Sequence, residues 1–349
     1  MYFLTFAFLT VLKDHHFHYG YLLYASAIMA SIDSTFVTKY GQYVDAIFHD
    51  VAHYSNGDSQ EVPKKNLFFP LARHKSWYDG HSFATGMFPF GNGKSQESSS
   101  EAVNCYYGAY LWARARRGEL VGGSELVDFT RLLLAMEIRG AKSYWHMLPT
   151  EKGSNGTKLK QESYTSDFRK NYVVGNVGML DVSANTWFGN DPLYVHMINA
   201  LPITAITAVL FEQEYVSKEY PFLMGSRSGV EMAWRGYTNS IESIFDPEKA
   251  WSDSQKLVSY ELDSAISKSQ VLFFIATRPG FNISLPVSSS TSDSKSSTSS
   301  SVRDNSVDTK TSRGDGGDAS CSKHDSCAGL GLTGQCCPTS DGKMLGCCS

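Results

Sequence analysis

The chain predicts an all-α fold, on three observations. Apolar residues recur at helical spacing in at least six segments, strand-like alternation is scarce, and the connecting loops are unequal in length. Helix pairs alternating with loops fit a bundle or an α/α toroid, and periodicity does not choose between them. No internal repeat is visible.

The elements follow in order. MYFLTFAFLTVL at the start is apolar but lacks a basic leader and a small-residue cleavage site, so it reads as a core segment or a misassigned first exon and not as an export signal. At 12 residues it is too short to span a bilayer. A helix start is expected at Asp14 or His15, followed by an apolar run to Ala30. Ile32-Asp33-Ser34 breaks it, and apolar positions 36, 37, 40, 44, 47, 48 and 51 mark a second helix. Residues 55–64 are polar and loop-like.

Residues 77–107 organise the rest. Gly80, Gly86, Gly91, Gly93 and Pro89 describe a loop that bends often, and Glu97, three serines and Glu101 then lead into an aromatic, apolar run. That run, residues 102–116, is expected to be helical and to end near Gly118. Ser124 is expected to cap the next helix, with Leu126, Phe129, Leu132, Leu133, Met136 and Ile138 on its inner side. Residues 150–165 and 171–191 read as loops. A helix begins near Pro192, is interrupted at Pro202 and resumes over 208–215. Two more, 228–244 and 255–276, are separated by Asp246-Pro247.

Composition bounds the function. An apolar share of 42% supports a sizeable core, while a net charge of −4 and a pI near 6.2 leave no basic footprint for nucleic acid and no cluster for an anionic membrane. Residues 286–319 are Ser/Thr-rich and too poor in apolar surface to fold, so they read as a disordered linker. Six of the seven cysteines (Cys321, Cys327, Cys336, Cys337, Cys347 and Cys348) fall in the last 29 residues. An even number in so short a segment reads as a three-disulfide module from an oxidising compartment, its pairing open among fifteen connectivities. The expected domains are therefore 1–285, 286–319 and 320–349. Cys105 reads as a small buried hydrophobe. Asn155 and Asn282 head glycosylation sequons.

Glu97 and Glu101 stand four apart, so on one helix they would share a face and repel, holding one proton to higher pH. Ser98 and Glu101 also have capping-box spacing, which needs no catalysis. Both readings stand on spacing alone. His15, His16 and His18 invite a metal, but no H-E-x-x-H spacing accompanies them and no metal is expected.

Five segments in series carry a resemblance: DHHFHYGY at 14–21, KSWYDGHSFATG at 75–86, GKSQESSSEAVNCYYG at 93–108, TWFGNDPLYVHMINALPIT at 186–204 and EMAWRGY at 231–237. Over roughly residues 14–275 the chain resembles glycoside hydrolase family 81, the endo-β-1,3-glucanases. The resemblance implies an (α/α)6 barrel, an inverting mechanism and no cofactor. It implies Asp14 as general acid, Glu101 as general base and Glu97 as the group that orients substrate or water.

Within the same segments His18, Trp77, His81, Lys94, Gln96 and Trp187 are candidate substrate contacts. His18, Trp77, His81 and Trp187 read equally as packing. Lys94 and Gln96 are candidate hydrogen-bond donors to sugar hydroxyls or to Glu97. Tyr106 and Tyr107 read as core, and Glu231, Trp234 and Arg235 as a structural group. The resemblance also implies a β-sandwich and further helices ahead of the aspartate, whereas 13 residues precede Asp14 here. The expected toroid therefore lacks its first helices, as in a truncated gene model or a fragment.

The expected function is hydrolysis of internal β-1,3-glucosidic bonds by a secreted or cell-wall monomer, with β-1,3-glucan as partner and neither nucleic acid nor membrane. The alternative is a catalytically impaired glucan-binding or surface protein.

Overall fold

The computed structural model describes residues 15–54, 69–84, 86, 94–117, 123–148, 172–174, 176–177, 192–225, 232–281 and 320. Contacts divide the chain into two units, 1–285 and 286–349, and all described residues except Ser320 belong to the first. Asp14, Trp187, Glu231, both sequons, residues 286–319 and the six C-terminal cysteines lie outside the described residues.

The first unit is helical. Helices α1 (His15–Ile32), α2 (Phe36–Val51), α3 (Ser99–Ala115) and α4 (Gly123–Tyr144) are followed by α5 (Pro192–Ile198), α6 (Thr207–Leu210) and α7 (Gln213–Gly225). Then come α8 (Arg235–Glu242), α9 (Pro247–Ser254) and α10 (Lys268–Ala276), with 3₁₀ turns at Met232–Trp234 and Ser259–Glu261. The named strands among the described residues are β1 (Lys94–Ser95) and β2 (Asn176–Val177). They pair antiparallel, Lys94 opposite Val177 and Ser95 opposite Asn176.

The tightest packing is α1 on α3. A Cβ on Gly20 would lie 2.7 Å from the Cα of Cys105, and one on Gly108 would lie 2.7 Å from the amide nitrogen of Tyr24. Both distances are too short for any side chain, so glycine at these two positions lets the backbones touch. Around the seam Leu23, Val103, Cys105, Tyr106 and Trp112 are fully buried, continuous with Phe48 and Val51 of α2 and Leu133 of α4. Burial, with the Glu137 charge as the next cause, raises the Cys105 thiol well above its usual range, as befits a packing residue. Helix α2 is tied to α3 through Asp45, which accepts from Trp112 Nε1 at 2.9 Å and pairs with Arg116 Nη2 at 2.5 Å.

Several expectations need correction. Helix α4 starts at Gly123, so Ser124 is already inside the first turn and its hydroxyl donates to Glu125 at 3.2 Å. Asp246-Pro247 opens a helix: Asp246 accepts from the Lys249 amide at 3.1 Å, and Pro247, which has no N–H to lose, follows at the first position. The stretch expected as one helix over 255–276 is a 3₁₀ turn followed by a nine-residue helix capped by Ser267. The helix resuming after Pro202 is split into α6 and α7, and α7 continues through Pro221 to Gly225.

Candidate active site

The segment 96–101 is fixed residue by residue. Gln96 is fully buried, and its Nε2 donates to Glu137 Oε1 at 3.4 Å. Glu97 follows with φ +60°, in the left-handed region that a side chain enters at a cost of about 1–2 kcal/mol. Ser98 is the N-cap of α3, accepting from the Glu101 amide at 3.2 Å and donating to the Ile198 carbonyl at 2.6 Å. Ser99 donates its hydroxyl to Asn199 Oδ1 at 2.8 Å, and Ser100 donates to the Leu201 carbonyl at 2.5 Å. The three serines thus each hold a different point, and the 198–201 turn receives all of them.

Asn199 is the clamp. Its Oδ1 also accepts from the Ser99 amide at 2.9 Å, while its Nδ2 donates to the carbonyls of Glu97 at 3.0 Å and Val195 at 2.9 Å. A strained backbone persists where its surroundings over-determine it. Glu97 has Gln96 anchored before it, Ser98 capped after it and Asn199 on its own carbonyl. Glu97 therefore sits ahead of α3, not on it, and the expected shared helical face with Glu101 does not form.

Glu101 lies in the first turn of α3 and is 9% exposed. Only the serine half of the capping box is used for the Glu101 amide, and the Glu101 carboxylate accepts from the Tyr21 hydroxyl at 2.8 Å. Burial, then the charge of Glu101, push the Tyr21 phenol far above its ordinary range, which keeps it a proton donor. Tyr237 on α8 is raised by burial, by Asp263 and in part by the same Glu101 charge. A carboxylate that accepts a phenol hydrogen bond is stabilised in its charged form.

Helix α1 brings the second motif in. His15 Nδ1 lies 3.3 Å from Asp50, which also pairs with Arg73 Nη2 at 2.5 Å and accepts Arg73 Nε at its carbonyl at 3.1 Å. The N-terminal end of α1, the residue after Asp14, is thereby pinned to α2 and to the 69–84 loop. His18 is half-buried, its basicity lowered by burial and by His15. His16 is fully buried with neither ring nitrogen hydrogen-bonded. Burial, with His74, Arg73 and Lys75 nearby, holds it neutral. Among the described residues no three His, Cys, Asp or Glu side chains converge as a metal site.

The other candidate contacts divide into wall and core. Trp77 is 49% exposed, and Lys94 is half-buried with Nζ 4.9 Å above the Phe83 ring. His81 is buried among Phe83, Tyr144 and Trp145, its Nδ1 donating to the Ser82 carbonyl at 3.1 Å, so the structure places it in packing. Gln96 serves Glu137, as given above. Glu137 is itself fully buried against Lys75 Nζ at 2.6 Å and also accepts the Ser82 amide at 2.9 Å. Tyr106 joins the same group through Ser82 Oγ at 3.0 Å. Below Ser99, His146 is stacked on Phe211 and Tyr215, and burial pushes its pKa down to about 3.

Sequence reasoning missed Tyr21, Tyr237, Asn199 and Glu137. Tyr21 was findable, since it closes the DHHFHYGY segment that carries part of the resemblance. Asn199 and Glu137 act on partners 41 to 102 positions away, and no local spacing signals that.

The chain is similar in sequence to several known proteins, among them three glucan endo-1,3-beta-D-glucosidases. It is 30% identical to the primary septum glucan endo-1,3-beta-D-glucosidase of Schizosaccharomyces pombe over 270 residues, 76% of this chain and 24% of that protein. It is 31% identical to glucan endo-1,3-beta-D-glucosidase 2 of Saccharomyces cerevisiae over 245 residues, 68% of this chain and 28% of the yeast protein. It is 28% identical to a glucan endo-1,3-beta-D-glucosidase of Glycine max over 275 residues, 77% of this chain and 38% of that one. The chain thus spans about a quarter to two fifths of the length of these relatives. The profile of the glycosyl hydrolase family 81 C-terminal domain matches residues 6–272, reaching eight residues upstream of Asp14 into a stretch the motif series had left out. With three quarters of its length inside that match, the chain belongs to glycosyl hydrolase family 81.

Proposed function

We propose that this chain carries the catalytic part of an inverting endo-β-1,3-glucanase, with Asp14 as general acid, Glu101 as general base and Glu97 as the group that orients water or substrate. The carrying observation is the Gln96–Glu101 segment, where a strained, clamped Glu97 leads into a helix whose first carboxylate is served by a phenol of the DHHFHYGY helix. The relatives named as glucan endo-1,3-beta-D-glucosidases support the substrate.

In the reaction, protonated Asp14 donates to the glycosidic oxygen as the bond to the anomeric carbon breaks. Water attacks that carbon from the opposite face and gives its proton to Glu101, which inverts the configuration. This needs a gap of about 6.5–9.5 Å between the two carboxyls. Tyr21, from the same motif as Asp14, reaches Glu101. The Tyr21 hydroxyl favours ionised Glu101, the form a base requires.

The helix-rich character of the described residues supports an (α/α)6 toroid, and Trp77, Trp187, Lys94 and His18 are its proposed β-1,3-glucan contacts. No cofactor is used, and the chain works as a secreted or wall-associated monomer. Residues 286–319 link it to a six-cysteine module over 320–349. Reducing-sugar release from laminarin by the full chain is the test. Asp14→Asn and Glu101→Gln should each cut it by about 10²–10⁴-fold with unchanged circular dichroism. Full turnover in both variants would sink the assignment, and glucan pulldown without product would favour a binding protein instead.

A further inference from the structure

A cavity of about 440 Å³ lies between α7, α8, α9 and the Ser259–Glu261 turn, with neither Glu97 nor Glu101 in its lining. That volume falls among small-molecule sites, which run from about 300 to 1,000 Å³. Six charged side chains face it, and they cancel. Arg235 pairs with Glu261, Lys249 Nζ with Glu242 at 2.7 Å and Asp253 at 3.0 Å, and Lys256 with Asp253 at 3.5 Å. An ionic ligand would have to displace one of these partners, whereas a neutral one would not.

Two further features say what kind of neutral ligand fits. The Glu242 side chain is 4% exposed, and its Oε2 has no hydrogen-bond partner. A buried acceptor left in that state is costly, and what it lacks is a donor, reached directly or through a bound water. Tyr260, 64% exposed on the lining, offers a flat ring, and Asn239 adds an amide. Hydroxyls to donate and an apolar ring face to stack are the properties of a sugar.

We propose that this cavity is an accessory binding site for a neutral saccharide, its hydroxyls serving Glu242 and Asn239 and a ring face resting on Tyr260. Helix α8 links the site to the candidate catalytic centre. Tyr237, which feels the Glu101 charge, and Asn239 are about 200° apart around that helix. The saccharide class rests on the cavity, and only the choice of glucan as one probe rests on the proposed function.

The test uses the full chain carrying Glu101→Gln, titrated calorimetrically with three neutral trisaccharides: β-1,3-glucosyl, β-1,4-glucosyl and α-mannosyl. At least one should bind and should lose tenfold or more affinity in Tyr260→Ala and in Glu242→Gln. Tyr260 is exposed enough for its variant to fold, and Asn239→Ala serves as a third check. Binding of none of the three, or binding within twofold of the parent in Tyr260→Ala and Asn239→Ala, overturns the proposal. Laminarin hydrolysis by the unsubstituted chain is scored separately. Lost hydrolysis with Tyr260-dependent binding defeats the proposed function and leaves this site standing, and the reverse pattern defeats the site.

Discussion

Glu137 and Glu101 belong to neighbouring helices of one core, yet their surroundings differ in kind. Glu137 is fully enclosed, with a lysine ammonium, a backbone amide, a hydroxyl and a side-chain amide on its two oxygens. Glu101 stands at a helix start, 9% exposed, with a phenol on one oxygen. The first arrangement spends every lone pair on holding the 75–82 loop and Gln96 in place. The second gives a carboxylate one neutral, adjustable donor, the Tyr21 phenol. Sequence alone cannot separate the two, because both are glutamates within helical runs. Enclosure by a paired cation marks the structural acid, and a phenol near the surface marks the candidate chemical one.

The sharpest break of this contrast comes from Lys75→Met. Removing one partner of a buried ion pair costs about 3–5 kcal/mol, because the other charge stays enclosed. Chemical denaturation should show that loss, and Glu101→Gln should show almost none while abolishing turnover. Equal stability loss in both would erase the distinction.

Acid should act next, at a comparable but smaller scale. His146 has its folded pKa depressed from 6.5 to about 3 by burial. The unfolded chain therefore takes up its proton first, and stability present above pH 6.5 is lost as pH falls toward 3, by something of order 3 kcal/mol at pH 4. His16 is depressed in the same direction by burial and its cationic neighbours, and adds to the loss. Melting temperature against pH reads this directly, and a flat profile from pH 7 to 4 would contradict it.

Glu97→Gly should go the other way. Glycine takes φ +60° without the side-chain penalty, so unfolding free energy should rise by about 1 kcal/mol while glucan hydrolysis falls. A destabilised variant would mean that the Glu97 side chain holds the turn. Tyr21→Phe removes one hydrogen bond to a charged group, about 1.5–3 kcal/mol at most. Its expected signature is a shifted basic-group limb in the pH–rate profile with the fold intact, and an unmoved limb would count against Tyr21 acting on Glu101.

Much of the frame was legible because helical spacing is local. The apolar positions of 36–51 and the serine before Glu101 announced α2 and the cap of α3 correctly. Gly80 and Gly86 were readable as bends, and both take positive φ. What could not be read was pairing at a distance. Lys75 meets Glu137 across 62 positions, and Asn199 meets Ser99 across 100, and nothing in either neighbourhood names the partner. Helix ends were missed where weak segments depend on packing, as in 255–276. Glu97 was misread for a subtler reason. Its spacing to Glu101 is helical, but the cap that starts the helix falls between them.

The glycine contact of α1 with α3 has a consequence for how this scaffold can vary. Two missing methyl groups, at Gly20 and Gly108, set how far apart the helix bearing Tyr21 and the helix bearing Glu101 can stand. An alanine at either place would act as a shim, prising the helices apart by a fraction of an ångström and stretching the phenol–carboxylate bond. The phenol–carboxylate reach is thus tuned from within the seam, at positions no ligand need ever touch.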